Sequence, residues 1–221
     1  MTSTTDSMDP RNAPIRETLT AKERRRARIS DTAMMLFAER GFDAVSIAEI
    51  AEAAEVSKMT VTNHFALKED LVFDEFADDL RRVGTEMASV GSLDQAVDAV
   101  ERYCAERERS GGTARALAAR TPGAWQGFAG LVLGSRALSL RFHAHYLDIR
   151  DAIAAALPSS LAPADVAVTA WMLAEAVHLV DWWPYDQVAR GASTASIRAG
   201  RAAVRERAFA ALREGLARAP R

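Results

Sequence analysis

At 221 residues, 49% hydrophobic and 26% charged, the chain suits one ordinary domain or a small module joined to a larger one, and is neither fibrous nor wholly disordered. A single cysteine, Cys104, excludes an intramolecular disulfide and a cysteine-based zinc site and suits a reducing compartment. The formal net charge of −2 argues against a nucleic-acid binder until its distribution is read. Over residues 11–28, Arg11, Arg16, Lys22, Arg24, Arg25, Arg26 and Arg28 stand against Glu17 and Glu23 alone. Residues 39–55 reverse the sign, with Glu39, Asp43, Glu49, Glu52 and Glu55 against Arg40. A second arginine-rich stretch fills 198–221.

Residues 1–19 are polar, are interrupted by Pro10 and Pro14, and read as a disordered tail without the apolar segment of a secretory signal. Thr20 and Glu23 form a capping box, and Ile29, Ala33, Leu36 and Phe37 recur at helical spacing up to Gly41, which predicts a first helix over about 20–40. Ser46 and Glu49 make a second box, with Val45 and Ile50 in staple positions, ahead of a two-turn helix striped by Ile47, Ile50, Ala51 and Ala54. Ser57 caps a third helix, about 57–64, whose thin apolar side is Val61 and Phe65. Two short capped helices after a longer one make a helix-turn-helix, and each must dock on the first because neither is stable alone. What stays exposed is Lys58, Met59, Thr60, Thr62, Asn63 and His64. Lysine, threonine and asparagine are residue types that donate to phosphates and read base edges in a major groove.

Residues from about 22 to 71 resemble the DNA-binding domain of the TetR family of transcriptional regulators. The resemblance is carried by Ala38-Glu39-Arg40-Gly41-Phe42, the run from Ser46 to Ser57, Thr60, Asn63-His64-Phe65 and Lys68-Glu69-Asp70-Leu71. Thr62 and His64 depart from it, each standing where the family often has an aromatic residue. The resemblance implies that Ser46 caps a helix whose N–H groups can face a phosphate, and that Lys58, Thr60, Thr62 and Asn63 lie on the recognition helix. It places His64 and Lys68 at backbone-contacting positions. Arg24, Arg25 and Arg28 are candidates for phosphate or minor-groove contact on charge and position, and the acidic residues of 49–55 are expected on the outward side of the second helix.

Everything after about residue 69 reads as helix. Lys68 is expected to open a long fourth helix carrying Leu71, Val72, Phe76 and Leu80. Ser92 and Gln95 open a helix with Ala96, Val97, Val100, Tyr103 and Cys104 on one face; Ser110-Gly111-Gly112 ends it, and a short helix follows near 114–120. Pro122 is expected to start the longest helix, about 122–156. Its stripe (Trp125, Phe128, Val132, Ser135, Ser139, Phe142, Tyr146, Ile149, Ile153) is either core or the lining of a space that Ser135 and Ser139 leave. His143 and His145, two apart on a helix, make a poor metal pair. Pro163 starts the next helix, and Val166 to Val180 is apolar nearly all round but shorter than the ~20 residues of a membrane span, so it must be covered on every side. Trp182-Trp183-Pro184 is expected to close it, and Glu175 and His178 can bond each other or a ligand. A last helix over 194–217 has the seam Ile197, Val204, Ala208, Ala211, Leu212 and Leu216, flanked by arginines that read as rim residues; with the preceding helix it is expected to form a four-helix dimer interface.

The expectation is therefore an all-α chain: a tail over 1–19, a three-helix DNA-binding domain over 20–66, and a helical effector-binding and dimerisation bundle over 67–221. It is a cytoplasmic homodimer on a near-palindromic double-stranded operator, most simply a repressor released by a small molecule. The effector is expected among Tyr103, Trp125, Phe128, Phe142, Tyr146, Trp171, Glu175 and His178. The sequence offers no catalytic signature, cofactor motif, metal site or membrane anchor. The alternative is a DNA-binding regulator without a small-molecule effector, controlled by a protein partner or by abundance.

Overall fold

The computed structural model describes residues 20–119 and 123–218, and among them all regular structure is helical. The tail over 1–19 and the helix start at Pro122 lie outside the described residues. The chain divides into two compact units, one ending at Val72 and the other beginning at Phe73.

In the first unit, α1 spans Ala21–Arg40. Thr20 accepts from the Glu23 amide, and the Glu23 carboxylate accepts from the Thr20 amide at 2.7 Å, so two of the helix's orphan donors are satisfied. Gly41, at φ 81°, turns the chain where a Cβ would be strained, and its amide closes on the Phe37 carbonyl. Ser46 begins α2, Ile47–Ala53, by the same reciprocal box with Glu49, and Ser57 caps α3, Lys58–His64, by accepting from the Thr60 amide. Glu55, in the connecting turn, takes a left-handed conformation (φ 54°) that glycine would adopt at lower cost. Ile29, Ala33, Phe37, Ile50, Val61, Phe65 and Leu71 are buried; Leu36 is only half-buried. The Ser30 hydroxyl fastens the end of the unit by donating to the Leu71 carbonyl at 2.8 Å.

No long helix starts at Lys68. Residues Lys68–Leu71 form a single 3-10 turn, whose Asp70 carboxylate accepts from the Leu67 amide, and the next helix, α4, spans Phe76–Met87. It opens the second unit, which continues with α5 (Leu93–Ser110), α6 (Gly112–Ala118), α7 (Ala124–Gly134), α8 (Arg136–Ala156), α9 (Pro163–Ala189) and α10 (Thr194–Arg218). Ser92 caps α5, but Gln95 reaches back to the Gly91 amide rather than to that of Ser92.

The expected single helix over 122–156 is two helices. Ser135 is extended and buried, and its hydroxyl caps α8 by accepting from Leu138, while the Ser139 hydroxyl donates at 3.0 Å to the Val132 carbonyl that the break leaves open. These serines satisfy backbone groups at a helix junction. The opposite correction applies to α9, which runs through Pro184. Proline inside a helix costs about 3 kcal/mol. Here the residues flanking it are anchored: the Trp182 and Tyr185 rings stack at 5.2 Å, and both pack on Phe142. Gly191, at φ 78°, follows the end of the helix. At 27 residues α9 has the length to cross a bilayer, but Leu173, Ala174, Val177, Val180 and Asp181 are buried in the unit's own packing.

The last helix also packs inward. Ile197, Arg201, Phe209 and Leu212 are buried, Val204, Ala208 and Leu216 are half-buried, and only Ala211 of the expected seam is exposed. Four of its arginines are engaged within the chain. Arg198 donates to the Leu117 carbonyl, Arg201 to that of Glu108, Arg205 pairs with Glu108 at 3.2 Å, and Arg213 bridges Asp98 and Glu101 at 2.7 Å each. Gly200 lies where α10 crosses α9 closely: a Cβ there would come within 2.5 Å of the Trp183 ring. Gly200→Ala, which in an open helix adds up to about 1 kcal/mol of stability, is expected to lose about 1–3 kcal/mol by overpacking, read as a lowered midpoint in urea.

Candidate nucleic-acid interface and ligand cleft

The register of α3 follows from its two buried anchors. With Val61 and Phe65 turned inward, Lys58, Met59, Thr62 and Asn63 project outward and are exposed, while Thr60 and His64 are half-buried. Thr60 exchanges a hydroxyl hydrogen bond with Ser57 at 2.8 Å, and the Thr62 hydroxyl donates back to the Lys58 and Met59 carbonyls. Asn63 carries both a donor and an acceptor at its tip, the combination that reads adenine in a major groove. Met59, 72% exposed, is the most exposed large apolar side chain described. It suits contact with a thymine methyl, a role that the sequence does not single out because Met59 stands there among polar neighbours.

The basic run on α1 sorts by geometry. The Arg26 guanidinium donates to the His64 carbonyl and sits 4.0 Å over the Phe65 ring, fixing the C-terminal end of α3. Burial lowers the His64 pKa, and the positive charges of Arg26, Lys22 and Arg25 lower it further. Those three residues therefore converge on the end of the recognition helix, which leaves His64 neutral at pH 7. Of the three, only Arg25 is among the contacts expected from sequence. Arg24 and Arg28 are exposed on the same helix.

Lys68 also serves the packing of its own unit. Its ammonium donates to the Phe42 carbonyl at 2.6 Å and lies 4.1 Å over the Phe42 ring, and burial lowers its pKa. Glu49 does not simply face outward. It accepts from Arg40 at 2.6 Å and from the Ser46 amide, and these bonds bring its pKa down to about 2. Ser46 itself is exposed at the start of α2.

The outward donors on a capped second short helix, the tight turn and the basic end make a helix-turn-helix reading head. Residues 29–74 match the sequence profile of the bacterial regulatory proteins of the tetR family. Residues 29–74 are thus a DNA-binding domain of the tetR-family type. TetR-family proteins are DNA-binding transcriptional regulators, and both the all-α fold and the helix-turn-helix agree. Solved structures that are similar include a TetR-family regulator of Streptomyces coelicolor A3 (20% identity, 87% of this chain and 98% of that one, TM-score 0.48). Another is NalD, the secondary repressor of the MexAB-OprM multidrug efflux pump in Pseudomonas aeruginosa (16%, 85% and 94%, 0.48). A third is Thermus thermophilus FadR in complex with lauroyl-CoA (21%, 81% and 92%, 0.42). A search of curated proteins returns no match.

In the second unit the structure separates the eight sequence-based ligand candidates. Trp125, Phe128, Phe142 and Tyr146 pack ring on ring: Trp125 meets Tyr185 at 4.9 Å, Phe128 meets Trp125 at 6.0 Å, and Phe142 meets Tyr146 at 5.4 Å. Trp171 is 51% exposed, with the Arg150 guanidinium 4.5 Å over its outer surface, and Glu175 is exposed as well. Neither lines the interior, because both point away from the buried side of α9. His178 bonds Glu175 at 3.3 Å and His143 at 2.7 Å.

Tyr103 borders a cleft of about 290 Å³ between α4 and α5, shared with Arg82, Thr85, Glu86, Glu106 and Arg107. Its ring is buried, and its hydroxyl finds no hydrogen-bond partner among the described residues. Behind it lies a charge cluster that sequence reading missed. Arg107 pairs with Asp79 and, at 3.1 Å, with Asp181, which also accepts from the Tyr146 hydroxyl at 3.0 Å. The His145 ring stacks on Phe76 at 3.7 Å with Nε2 3.8 Å from Asp79. A signal was present: Asp79 falls three residues after Phe76 and four before Val83, on the apolar stripe of α4.

Proposed function

We propose that this protein is a TetR-family, operator-binding repressor that acts as a homodimer and is released by a small molecule. The observation that supports it most is the reading head. Lys58, Met59, Thr62 and Asn63 face outward from one short helix, and Lys22, Arg25 and Arg26 gather at its C-terminal end. Two such heads related by a two-fold axis would enter successive major grooves, so the operator is near-palindromic. Phosphate contacts by the lysines and arginines, with Ser46 and Arg24, Arg28 and Lys68 at the margins, supply affinity and salt dependence. Base reading falls to Asn63, Thr62, Thr60 and Met59.

The cleft at Tyr103 favours an effector-responsive regulator over one controlled by abundance or a protein partner, since its buried hydroxyl has no partner among the described residues and a hydrogen-bonding ligand would satisfy it. To release DNA, that ligand must bind the DNA-incompetent setting more tightly than the competent one. Fragments selected by the purified protein from genomic DNA provide the operator for the test. Asn63→Ala is expected to weaken operator binding about ten-fold, equivalent to about 1.4 kcal/mol, with unchanged circular dichroism. The slope of affinity against salt stays as it is, because the lost contact is to a base. Equal affinity for operator and unrelated DNA at modest ionic strength would overturn the proposal.

A further inference from the structure

His143 on α8 and His178 on α9 turn ring nitrogens toward each other: Nδ1 of His143 lies 2.7 Å from Nε2 of His178, with the rings nearly perpendicular at 86°. On the far side of His178, Nδ1 lies 3.3 Å from a Glu175 carboxylate oxygen and 3.4 Å from the other. A carboxylate accepts, so it holds the His178 proton on Nδ1 and leaves the Nε2 lone pair aimed at His143. A carboxylate on the outer nitrogen of a histidine is the arrangement that orients metal-ligating imidazoles and raises their basicity.

The His143 ring, 2.7 Å away, also offers a lone pair, on Nδ1 when its proton resides on Nε2. We propose that His143 and His178 form a two-histidine binding site for a borderline divalent transition-metal ion such as Zn2+, with Glu175 as the positioning carboxylate and water in the remaining positions.

The geometry is within reach. Two nitrogens on a tetrahedral ion, each about 2.0–2.1 Å from it, stand about 3.3 Å apart. The pair therefore needs to open by about 0.6 Å from its metal-free hydrogen bond, a small torsion for His143, whose side chain is exposed on α8. Nitrogen ligands with water suit Zn2+, Ni2+ and Cu2+ rather than Mg2+ or Ca2+, and Cu2+ binds tightest. The sequence conceals the site because its two ligands lie 35 positions apart on different helices.

Trp182 supplies a reporter, its ring centroid 4.6 Å from that of His143. The full-length protein, stripped with chelator, is titrated with ZnCl2 by calorimetry and with CuCl2 by tryptophan fluorescence. One ion per chain is expected, with quenching by Cu2+. His143→Ala and His178→Ala are each expected to weaken binding by at least ten-fold, and Glu175→Gln by about ten-fold. Far-UV circular dichroism checks that each variant is folded, and His178→Gln serves if the alanine variant is not. Because the readout is metal affinity, it stands apart from any failure of operator binding. Zn2+ binding unaltered by both histidine substitutions, or no binding at millimolar ZnCl2, would overturn the site.

Discussion

Replacing Arg107 by methionine is expected to lower the stability of the helical bundle by about 3–5 kcal/mol, the range for breaking a buried ion pair by removing one partner. In a protein of this size that is a melting-temperature loss of roughly 10 °C by calorimetry. The reason is stranded charge. Arg107 is, among the described residues, the one guanidinium paired with both Asp79 and Asp181, whose side chains are 1% and 7% exposed. With it gone, two carboxylates stay ionised in a low-dielectric interior with the Tyr146 hydroxyl and His145 as their near partners. Adding Asp79→Asn and Asp181→Asn to the Arg107→Met variant is expected to recover part of the loss, because it removes the charges rather than a favourable contact.

The pH dependence of this cluster has a definite sign. Burial alone would raise the pKa of Asp79, but the nearby His145 ring and the charge of Arg107 outweigh it, and the net direction is down. A carboxyl whose folded pKa lies below its unfolded value adds stability above the unfolded pKa and loses it as the pH falls through the folded one. In the native protein that loss is confined to strongly acidic solution, below about pH 4. Removing Arg107 leaves burial dominant, so the folded pKa rises above the unfolded value and the sign reverses. The Arg107→Met deficit should therefore shrink between pH 7 and pH 5, as Asp79 takes up a proton in the folded state. A deficit that is flat over that interval would mean that the two carboxylates are hydrated rather than stranded.

The DNA-reading unit was legible because its determinants are local. Thr20 with Glu23, Ser46 with Glu49, Ser57, and Gly41 at positive φ each settle a helix end within four residues, and the structure contains all of them. Failure set in where a distant contact outweighed a local rule. Pro184 should have ended α9 but is carried through by the rings on either side of it, and the continuous stripe from Trp125 to Ile153 concealed a junction at Ser135. The convergence of Arg26 on His64, across 38 positions, follows only from how α1 and α3 pack. Periodicity says that a face is apolar. It does not say what covers it.

That distinction decides how the proposed dimer is to be tested. A helix apolar on all sides predicts that a charge at Leu173 or Val177 separates subunits, yet both side chains are wholly buried inside one chain. Leu173→Asp is now expected to unfold the second unit, since a carboxylate there would be buried without a partner. The outward side of α9 is marked instead by Val168, Trp171 and Leu179, which are 55%, 51% and 47% exposed. Spacings of three, eight and eleven residues put them on one face of the helix, an exposed apolar stripe of the kind that two copies cover together. The pair Trp171→Asp with Leu179→Asp is therefore expected to give a folded monomer by light scattering, with near-native thermal stability by circular dichroism. Such a monomer places one reading head on one half-site and forfeits the effective concentration that linkage provides. Operator affinity should fall by at least about a hundred-fold, well beyond the ten-fold expected for Asn63→Ala, although the reading heads themselves are unaltered. An intact dimer for the double variant would move the two-fold axis to another face of the bundle and leave the reading head untouched.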